Sequence, residues 1–440
     1  MYKEKMKSHC SIISLCVALI FLATIRISTA TELAERHHPL TPLPKIQFTP
    51  ALSYEQYGHE IGSIIRARNP NASKLIGGAA GITVLDAVSP KQWPLSKDCI
   101  QPSKGILLIH GLSDSPYSIR DLGNSLSQNC VLVRSVLLPG HSTVPGDLVE
   151  VSYQDWIDAS SWAIGSFSGK VEKLVVVGFS TGATLAIDFA IRNQNREGKF
   201  VPVLARDSVG GSSESVTQIV GLVLLSPAIA INAPMTFMAR WVDALGVAFS
   251  ERLRWASIAE DIDTTKYESF PMNAAAQIHI LTKRLGSMLD MKHPVPVPVF
   301  VVASEQDTTI DTRETIQFFH NRTDSKSEML LYASQNVQMG DKRIEVRSSA
   351  NAAENILSQS HISIPIKPDN VHYGKQGDYV NCLHYSDNTE LTICLDRNNS
   401  AIQLGEITDE NKAIGTLRRI SWNPDYEYMM DRINQFISEL

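Results

Sequence analysis

The segment Gly178-Phe179-Ser180-Thr181-Gly182 contains the residues of this 440-residue chain whose types and spacing most directly suggest chemistry. An apolar β-branched run leads into it, and a helix-forming segment follows at once. This order predicts a strand, a sharp turn and a helix, which together present a serine Oγ above the edge of a sheet as a nucleophile. Glycines two residues to either side leave room for the neighbouring backbone. Ser180 is therefore the candidate nucleophile, and a turn serine with a structural role is the alternative.

Segments that predict strands alternate with segments that predict helices from Lys104 onward. Strands are predicted at GILLIH, CVLVRSVLL, LVVVGFS, IVGLVLLSP, VPVFVVAS and EMLLYAS. Helices are predicted near Ser118–Gln128, Tyr153–Phe167 and Thr312–His320, and directly after Thr181. Apolar strands that alternate with helices imply a parallel sheet covered on both faces. The expected fold class is therefore α/β, with a doubly wound, mostly parallel sheet.

Residues 1–30 predict a signal peptide. Lysines precede the apolar run Ser11–Ile25, and Ser28-Thr29-Ala30 supplies small residues for cleavage before Thr31. The apolar run is short for a membrane-spanning helix, so an uncleaved anchor is the alternative. We expect an exported protein, periplasmic or secreted, that contacts membrane only through its substrate or such an anchor.

Three further parts are expected in the mature chain. Residues 31–103 predict an N-terminal extension that packs on the core, with an amphipathic helix near Ser53–Arg68. The core is expected at 104–229 and 297–440. Residues 230–296 exceed what the sheet needs, and they predict a helical cap or lid that excludes water and selects substrate.

The cysteines that follow the leader are Cys99, Cys130, Cys382 and Cys394, an even number in a compartment where disulfides persist. Cys99 and Cys130 each precede a predicted parallel strand, which places both at the same end of the sheet. Cys382 and Cys394 bracket a short polar loop. Of the three possible pairings, these two local disulfides are favoured, and unpaired buried thiols are the alternative.

Composition and spacing exclude several classes of function. The formal net charge of −6 provides no basic field for nucleic acid. The cysteines lack zinc spacing, the histidines are scattered, and no Gly-x-Gly-x-x-Gly follows a strand. We therefore expect no nucleic-acid partner, no metal and no cofactor. The oligomeric state stays open.

Six sequence blocks resemble the α/β-hydrolase family, above all its carboxylesterases, monoacylglycerol lipases and lysophospholipases. The blocks are LLIHGLSDSPYSIRDLG, VLLPGHSTVPGDL, VVVGFSTGATLAIDFA, LVLLSPAI, ASEQDTTID and SHISIP. They follow the family's order and cover most of Lys104–Pro365. The resemblance implies an α/β-hydrolase core with a helical cap insertion and hydrolysis of a carboxylic ester.

The resemblance also implies the partners of the nucleophile. Asp307 follows the strand VPVFVVAS at the position of the family's acid, whereas Asp311 in the same loop is better suited to cap the next helix. His361, in ILSQSHISIP, resembles the family's histidine after the last strand. The segment QNVQMGDKRIEVRSSANAAENILSQ intervenes before it, and an added hairpin is expected to absorb these residues. His372, in NVHYG, is the alternative base.

Two backbone N–H groups are expected to bind the developing oxyanion. HGLSD after a buried strand places the N–H of Leu112 at the site, and the sharp turn supplies that of Thr181. His110, in HGLSD, and His141, in PGHS, are expected to shape these loops through hydrogen bonds rather than to act as acid–base groups.

The expected mechanism is ester hydrolysis through an acyl-enzyme at Ser180, with His361 as general base and then acid and Asp307 orienting it. The resemblance and the apolar cap favour a small-molecule or lipid-like ester, such as a monoacylglycerol or a lysophospholipid. A serine peptidase or amidase, an acyltransferase of the same fold and a non-catalytic exported binding protein are the alternatives.

Overall fold

A seven-stranded sheet forms the centre of the structure. Its strands, in chain order, are β1 (Lys104–Ile109), β2 (Val131–Val136), β3 (Lys173–Phe179), β4 (Gln218–Leu225), β5 (Val299–Ser304), β6 (Glu328–Ala333) and β7 (Ile344–Ser348). They lie side by side in the order β7-β6-β5-β4-β3-β1-β2, and each neighbouring pair is parallel. The predicted α/β class with a parallel sheet is confirmed.

The computed structural model describes residues 33–39, 43, 45–78, 81–128, 130–195, 217–230, 251–291, 294–333 and 339–440. Glu35–Leu440 form one compact unit. The predicted signal peptide and residues 231–250, 292 and 293 of the predicted cap lie outside the described residues. None of the described helices is both long and apolar enough to cross a membrane.

Helices cover both faces of the sheet. They are α1 (Tyr54–Arg68), α2 (Val84–Val88), α3 (Arg120–Leu126), α4 (Tyr153–Gly165), α5 (Thr181–Arg192), α6 (Met272–Met291), α7 (Thr312–Arg322), α8 (Asn388–Leu395), α9 (Asp409–Lys412) and α10 (Tyr426–Glu439). Successive side chains of a strand point to opposite faces. Val176 therefore packs in the core shared with α1, α4, α5, α6 and α7, while Val175 and Val177 pack in the core shared with α3 and α10.

The segment before the sheet packs on the core through α1. Ser53 caps this helix, and its capping box with Gln56 satisfies backbone N–H groups of the first turn. The hydroxyl of Tyr54 donates to the Ser135 carbonyl at 2.6 Å, and that of Tyr57 donates to the Leu137 carbonyl at 3.0 Å. These bonds join α1 to the end of β2.

Both favoured disulfides are present in the structure. Cys99–Cys130 links the residues that precede β1 and β2, with 5.1 Å between the Cα atoms. Cys382–Cys394 links α8 to the segment before it, with 6.1 Å between the Cα atoms.

The prediction of a hairpin between the sixth predicted strand and His361 is wrong. Residues of this segment form β7, which pairs in parallel with β6 in the register Met329↔Ile344. Because a hairpin would pair antiparallel, the chain must instead return to the opposite end of the sheet before β7 begins. Arg343 anchors this return, since its guanidinium donates to Asp341 at 3.0 Å and to the Asp324 carbonyl at 2.7 Å.

The longest described segment of the predicted cap, residues 251–291, combines two short strands and α6. Trp255–Ser257 and Phe270–Pro271 pair antiparallel. Leu281 and Leu285 of α6 are fully buried in the core. Arg284 forms an ion pair with Asp188 of α5 at 3.0 Å, so that the second half of α6 joins the helix layer of the core.

Candidate active site

Ser180 occupies the sharp turn between β3 and α5. Its backbone has φ +52° and ψ −115°, a conformation that costs free energy for a residue other than glycine. The surrounding backbone holds it there. The Ser180 N–H donates to the Leu225 carbonyl at 2.9 Å, and the Ser180 carbonyl accepts from the Ala228 N–H at 3.3 Å. The serine is thus presented in a strained conformation at the carboxyl end of the sheet.

The glycines beside Ser180 are required by the close approach of α5 to the sheet. A Cβ atom on Gly178 would lie 2.4 Å from the backbone nitrogen of Ala183. A Cβ atom on Gly182 would lie 2.1 Å from the carbonyl oxygen of Ile109. Both obstacles are backbone atoms, which cannot give way as the end of a flexible side chain can. The spacing of the glycines therefore has the steric origin that the sequence suggested.

Ser180, His361 and Asp307 lie together as a hydrogen-bonded chain. His361 Nε2 is 3.1 Å from Ser180 Oγ, and His361 Nδ1 is 2.6 Å from Asp307 Oδ2. A neutral imidazole that donates from Nδ1 to the carboxylate can accept the serine proton at Nε2. All three residues are buried. The arrangement can therefore perform nucleophilic catalysis at Ser180.

Loop hydrogen bonds hold the Asp307 carboxylate. Its Oδ1 accepts the N–H groups of Thr309 at 2.8 Å and Ile310 at 3.0 Å, which leaves Oδ2 directed at the imidazole. Asp311 instead accepts the Arg313 N–H at 3.0 Å as the cap of α7. The structure thus assigns the two carboxylates of this loop to different partners.

His372, the alternative base, contacts Asp263 and not Ser180. Its Nε2 lies 3.1 Å from Asp263 Oδ1, and the Tyr373 hydroxyl donates to Asp263 Oδ2 at 2.7 Å. Burial alone would raise the pKa of Asp263, but Lys266 and His372 hold it well below its usual value. His372 therefore joins segment 251–291 to the loop that follows His361.

Leu112 and Thr181, whose N–H groups are the expected oxyanion donors, both line the cavity that contains Ser180. In the part of the chain that the structure describes, neither donates a hydrogen bond to another residue. Two free donors beside a nucleophile can stabilise a developing oxyanion.

Two buried histidines hold the Leu112 loop, as expected from the sequence. His141 Nε2 accepts the Ser113 N–H at 3.0 Å, and His110 Nε2 accepts the Leu138 N–H at 3.0 Å. Burial lowers the pKa of His141 to about 4 and that of His110 well below its usual value. Both rings are therefore neutral near pH 7 and act as hydrogen-bond acceptors for the backbone.

Sequence reasoning missed the ion pair between Glu406 and Arg419. It is bidentate, with distances of 2.7 and 2.9 Å, and Glu406 Oε2 also accepts the His361 N–H at 3.0 Å. Arg419 in turn donates to Thr309 Oγ1 at 3.1 Å. Burial would raise the pKa of Glu406, but the Arg419 charge and these hydrogen bonds lower it. The pair thus connects the loop of His361 to the loop of Asp307.

Glu406→Gln is expected to lower kcat for ester hydrolysis by about tenfold and to leave KM nearly unchanged, because misplacing a catalytic group reduces turnover. Loss of the buried counter-charge to Arg419 should also reduce the free energy of unfolding by about 3 kcal/mol. Steady-state kinetics below the melting temperature and urea unfolding measure the two effects. Glu354→Gln, which removes the surface partner of Lys375, is the control. An unchanged kcat in Glu406→Gln would show that the pair does not position His361.

The cavity that contains Ser180 has a volume of about 590 Å³. Residues of the Leu112 loop, of segment 251–291 and of the C-terminal part of the chain line it. Much of its wall is apolar: Leu112, Phe179, Ala228, Phe270, Met272, Ala275, Ile278 and Ile310. Among the described ranges, no group of three or more His, Cys, Asp or Glu side chains is placed to hold a metal ion.

Comparison with known proteins gives one family-model match, one relative and two similar solved structures. A family model described as the alpha/beta hydrolase family matches residues 106–333, just over half of the chain. A thermostable monoacylglycerol lipase from Bacillus sp. (strain H-257) is 22% identical over 232 residues, which cover 51% of this chain and 79% of that protein. The monoacylglycerol lipase structure from Paleococcus ferrophilus is also similar, at 17% identity and a TM-score of 0.39, covering 56% of this chain and 88% of that one. A soluble variant of monoglyceride lipase from Saccharomyces cerevisiae matches at 16% identity and a TM-score of 0.41, covering 56% and 81%.

Proposed function

Because this chain belongs to the alpha/beta hydrolase family, we propose that it is an exported serine hydrolase that cleaves carboxylic esters through an acyl-enzyme at Ser180. The observation that carries this proposal is the continuous hydrogen-bonded chain from Asp307 through His361 to Ser180. The lipase relative supports a hydrolase that acts on esters.

In the acylation step, His361 Nε2 removes the Ser180 proton as Oγ attacks the ester carbonyl carbon. The carbonyl oxygen becomes an oxyanion, which accepts hydrogen bonds from the N–H groups of Leu112 and Thr181. The carbon–oxygen bond to the alcohol then breaks, and His361 donates its proton to the leaving oxygen. Asp307 keeps the imidazole oriented and stabilises its positive charge throughout.

In the deacylation step, a water molecule repeats the sequence on the acyl-enzyme. His361 removes a proton from the water as it attacks the acyl carbon, and then returns a proton to Ser180 Oγ as the carboxylic acid leaves. Besides the attacking water, the step uses only side chains and backbone N–H donors of this protein.

The apolar part of the cavity supports a substrate with an apolar acyl chain. Segment 251–291 supplies a hydrophobic surface for the acyl chain beside Ser180. Its residues there are Phe270, Met272, Ala275 and Ile278. The proposed substrates are therefore lipid-like esters.

Export is supported by the leader-like N-terminal sequence and by the two disulfides, which persist in oxidising compartments. The proposed mature protein begins at Thr31 and resides in the periplasm or outside the cell. N-terminal sequencing of protein recovered from the non-cytoplasmic fractions tests this. A protein found in the cytoplasm with Met1 retained would refute it.

The test of the catalytic proposal is hydrolysis of a p-nitrophenyl ester series, from acetate to palmitate, by the mature protein, together with labelling by a fluorophosphonate. We expect labelling at Ser180 and a kcat/KM that rises with acyl length beyond acetate. Labelling without ester turnover would favour a peptidase or an acyltransferase. Neither labelling nor turnover would favour a binding protein, and a maximum at acetate would refute the lipid-like substrate.

A further inference from the structure

The Leu112 loop, residues 111–114, carries one of the two proposed oxyanion donors, and three residues hold its successive peptide units. The first unit contains the Gly111 carbonyl and the Leu112 N–H. Its carbonyl accepts a hydrogen bond from His110 Nδ1 at 2.7 Å, and Nδ1 carries the ring proton because Nε2 already accepts a backbone N–H. Since a peptide unit is planar, this bond helps to fix the direction in which the Leu112 N–H points.

The backbone groups of Ser113 belong to the next two peptide units, and both groups are bound. The N–H donates to His141 Nε2 at 3.0 Å, and the carbonyl accepts the Tyr267 N–H at 2.8 Å. Ser113 has φ +59°, a conformation that costs free energy in a residue other than glycine. Such a residue keeps this conformation only where its surroundings hold it. The bond from Tyr267 is thus one of the contacts that keep the Leu112 loop in place.

Tyr267 differs from the two histidines because it belongs to segment 251–291, outside the sheet. Its hydroxyl accepts the Thr143 N–H at 2.7 Å and lies 3.2 Å from both the Gly140 carbonyl and Thr143 Oγ1, to which it can donate. The Tyr267 ring lies nearly parallel to the His141 imidazole, at an angle of 11° and with 6.4 Å between the ring centroids. Tyr267 therefore contacts the Leu112 loop through its backbone and supports the second histidine through its side chain.

The segment that carries Tyr267 is itself fastened on both sides of this residue. Upstream, the buried carboxylate of Asp263 accepts the Tyr373 hydroxyl at 2.7 Å. Downstream, Ser269 Oγ lies 3.0 Å from His37 Nε2, and both of these side chains are buried. The position of Tyr267 is thus defined by contacts outside the Leu112 loop, as a positioning residue requires.

We propose that Tyr267 is a positioning residue for the Leu112 oxyanion donor, so that segment 251–291 completes the catalytic site as well as lining the substrate cavity. This inference rests on the proposed ester hydrolysis at Ser180. The Tyr267 hydroxyl is engaged by groups of the loop that contains His141, so it acts through the position of the backbone and not on the reacting atoms. Its contribution belongs to the transition state, where the carbonyl oxygen carries charge, and not to binding of the uncharged ester.

Tyr267→Phe removes the hydroxyl contacts and keeps the aromatic ring. We expect kcat for p-nitrophenyl octanoate to fall by about tenfold and KM to stay within about twofold, because a loosened loop weakens a donor whose complete removal costs about 10²- to 10³-fold. Steady-state kinetics below the melting temperature of the variant measure both values. An unchanged kcat in folded Tyr267→Phe would overturn the inference.

An inhibitor that forms an oxyanion distinguishes positioning from a general loss of structure. When octyl trifluoromethyl ketone binds, Ser180 Oγ forms a bond to the carbonyl carbon, the carbonyl electron pair moves to the oxygen, and the serine proton passes to His361. We expect Tyr267→Phe to raise the Ki of this ketone by about tenfold, in parallel with the fall in kcat/KM. The Ki of octyl methyl ether, which forms no oxyanion, should stay within about twofold. Equal weakening of both inhibitors would mean that the whole cavity has changed and would overturn the inference.

Tyr54→Phe is the matched control, because it also removes a tyrosine hydroxyl that donates to a backbone carbonyl, that of Ser135. It should lose stability to a similar degree, as measured by urea unfolding, and leave kcat and both Ki values within about twofold. If Tyr54→Phe lowered kcat as much as Tyr267→Phe does, loss of any such hydroxyl bond would slow the enzyme, and the positioning role would be refuted.

The outcomes separate this inference from the proposed function. If the unmutated protein neither hydrolyses the octanoate ester nor binds the ketone more tightly than the ether, ester hydrolysis at Ser180 fails, and the inference fails with it. If the unmutated protein does both and Tyr267→Phe behaves in the same way, the positioning role is refuted and ester hydrolysis stands.

Discussion

Ser180→Ala is expected to reduce kcat for ester hydrolysis by about 10⁶-fold, to the level left by substrate binding and the oxyanion donors. The reason is chemical: alanine has no oxygen to form the acyl-enzyme, and His361 at 3.1 Å then has no proton to accept from the side chain. The same variant should lose all labelling by a fluorophosphonate. Initial rates on a p-nitrophenyl ester and mass spectrometry of the labelled protein measure both.

The fold of Ser180→Ala should be preserved. Alanine adds no atoms, and the backbone hydrogen bonds to Leu225 and Ala228 do not involve the hydroxyl. We expect the free energy of unfolding to change by less than about 1 kcal/mol. Ser287→Ala, on the exposed side of α6, is the matched control for loss of a serine hydroxyl. Substantial turnover by well-folded Ser180→Ala would refute the acyl-enzyme mechanism.

The second large effect is a difference in kcat between variants of the two candidate histidines, His361 and His372. His361→Ala should reduce kcat by about 10⁴- to 10⁶-fold, because Ser180 loses its general base and the leaving group loses its proton donor. His372→Ala should keep kcat within about threefold, since His372 contacts Asp263 and not Ser180. Steady-state kinetics of the two variants on one ester make the comparison.

His372→Ala is expected to affect stability instead. It removes a partner of a fully buried carboxylate, and we expect a loss of about 3 kcal/mol in the free energy of unfolding. Urea unfolding monitored by circular dichroism measures it. A His372→Ala variant that is stable but inactive, beside an active His361→Ala variant, would reverse the assignment of the general base.

The sequence by itself determined the features that depend on neighbouring residues. The Gly178 and Gly182 spacing around Ser180 predicts the sharp turn because any Cβ atom there meets backbone. Alternation of apolar strands with helices predicts the parallel sheet, since strands covered on both faces must be apolar throughout. The Cys99–Cys130 pair follows from the same sheet order, because the residues ahead of parallel strands lie at one end, and the Cys382–Cys394 pair follows from the short loop that the two cysteines bracket.

Only the tertiary structure decided which distant groups meet. His361 is 181 residues from Ser180 and 54 from Asp307. The resemblance of SHISIP favoured His361 but left His372 open as the partner of Ser180, and only the distances between the side chains separate the two. Glu406 reaches the His361 N–H across 45 residues, in a segment without a motif. The pairing of β7 was also decided only by the tertiary structure, because its short apolar pattern fits a hairpin as well as a parallel edge strand. Local sterics and periodicity act through adjacent residues, whereas these contacts depend on how loops converge at the carboxyl ends of the strands.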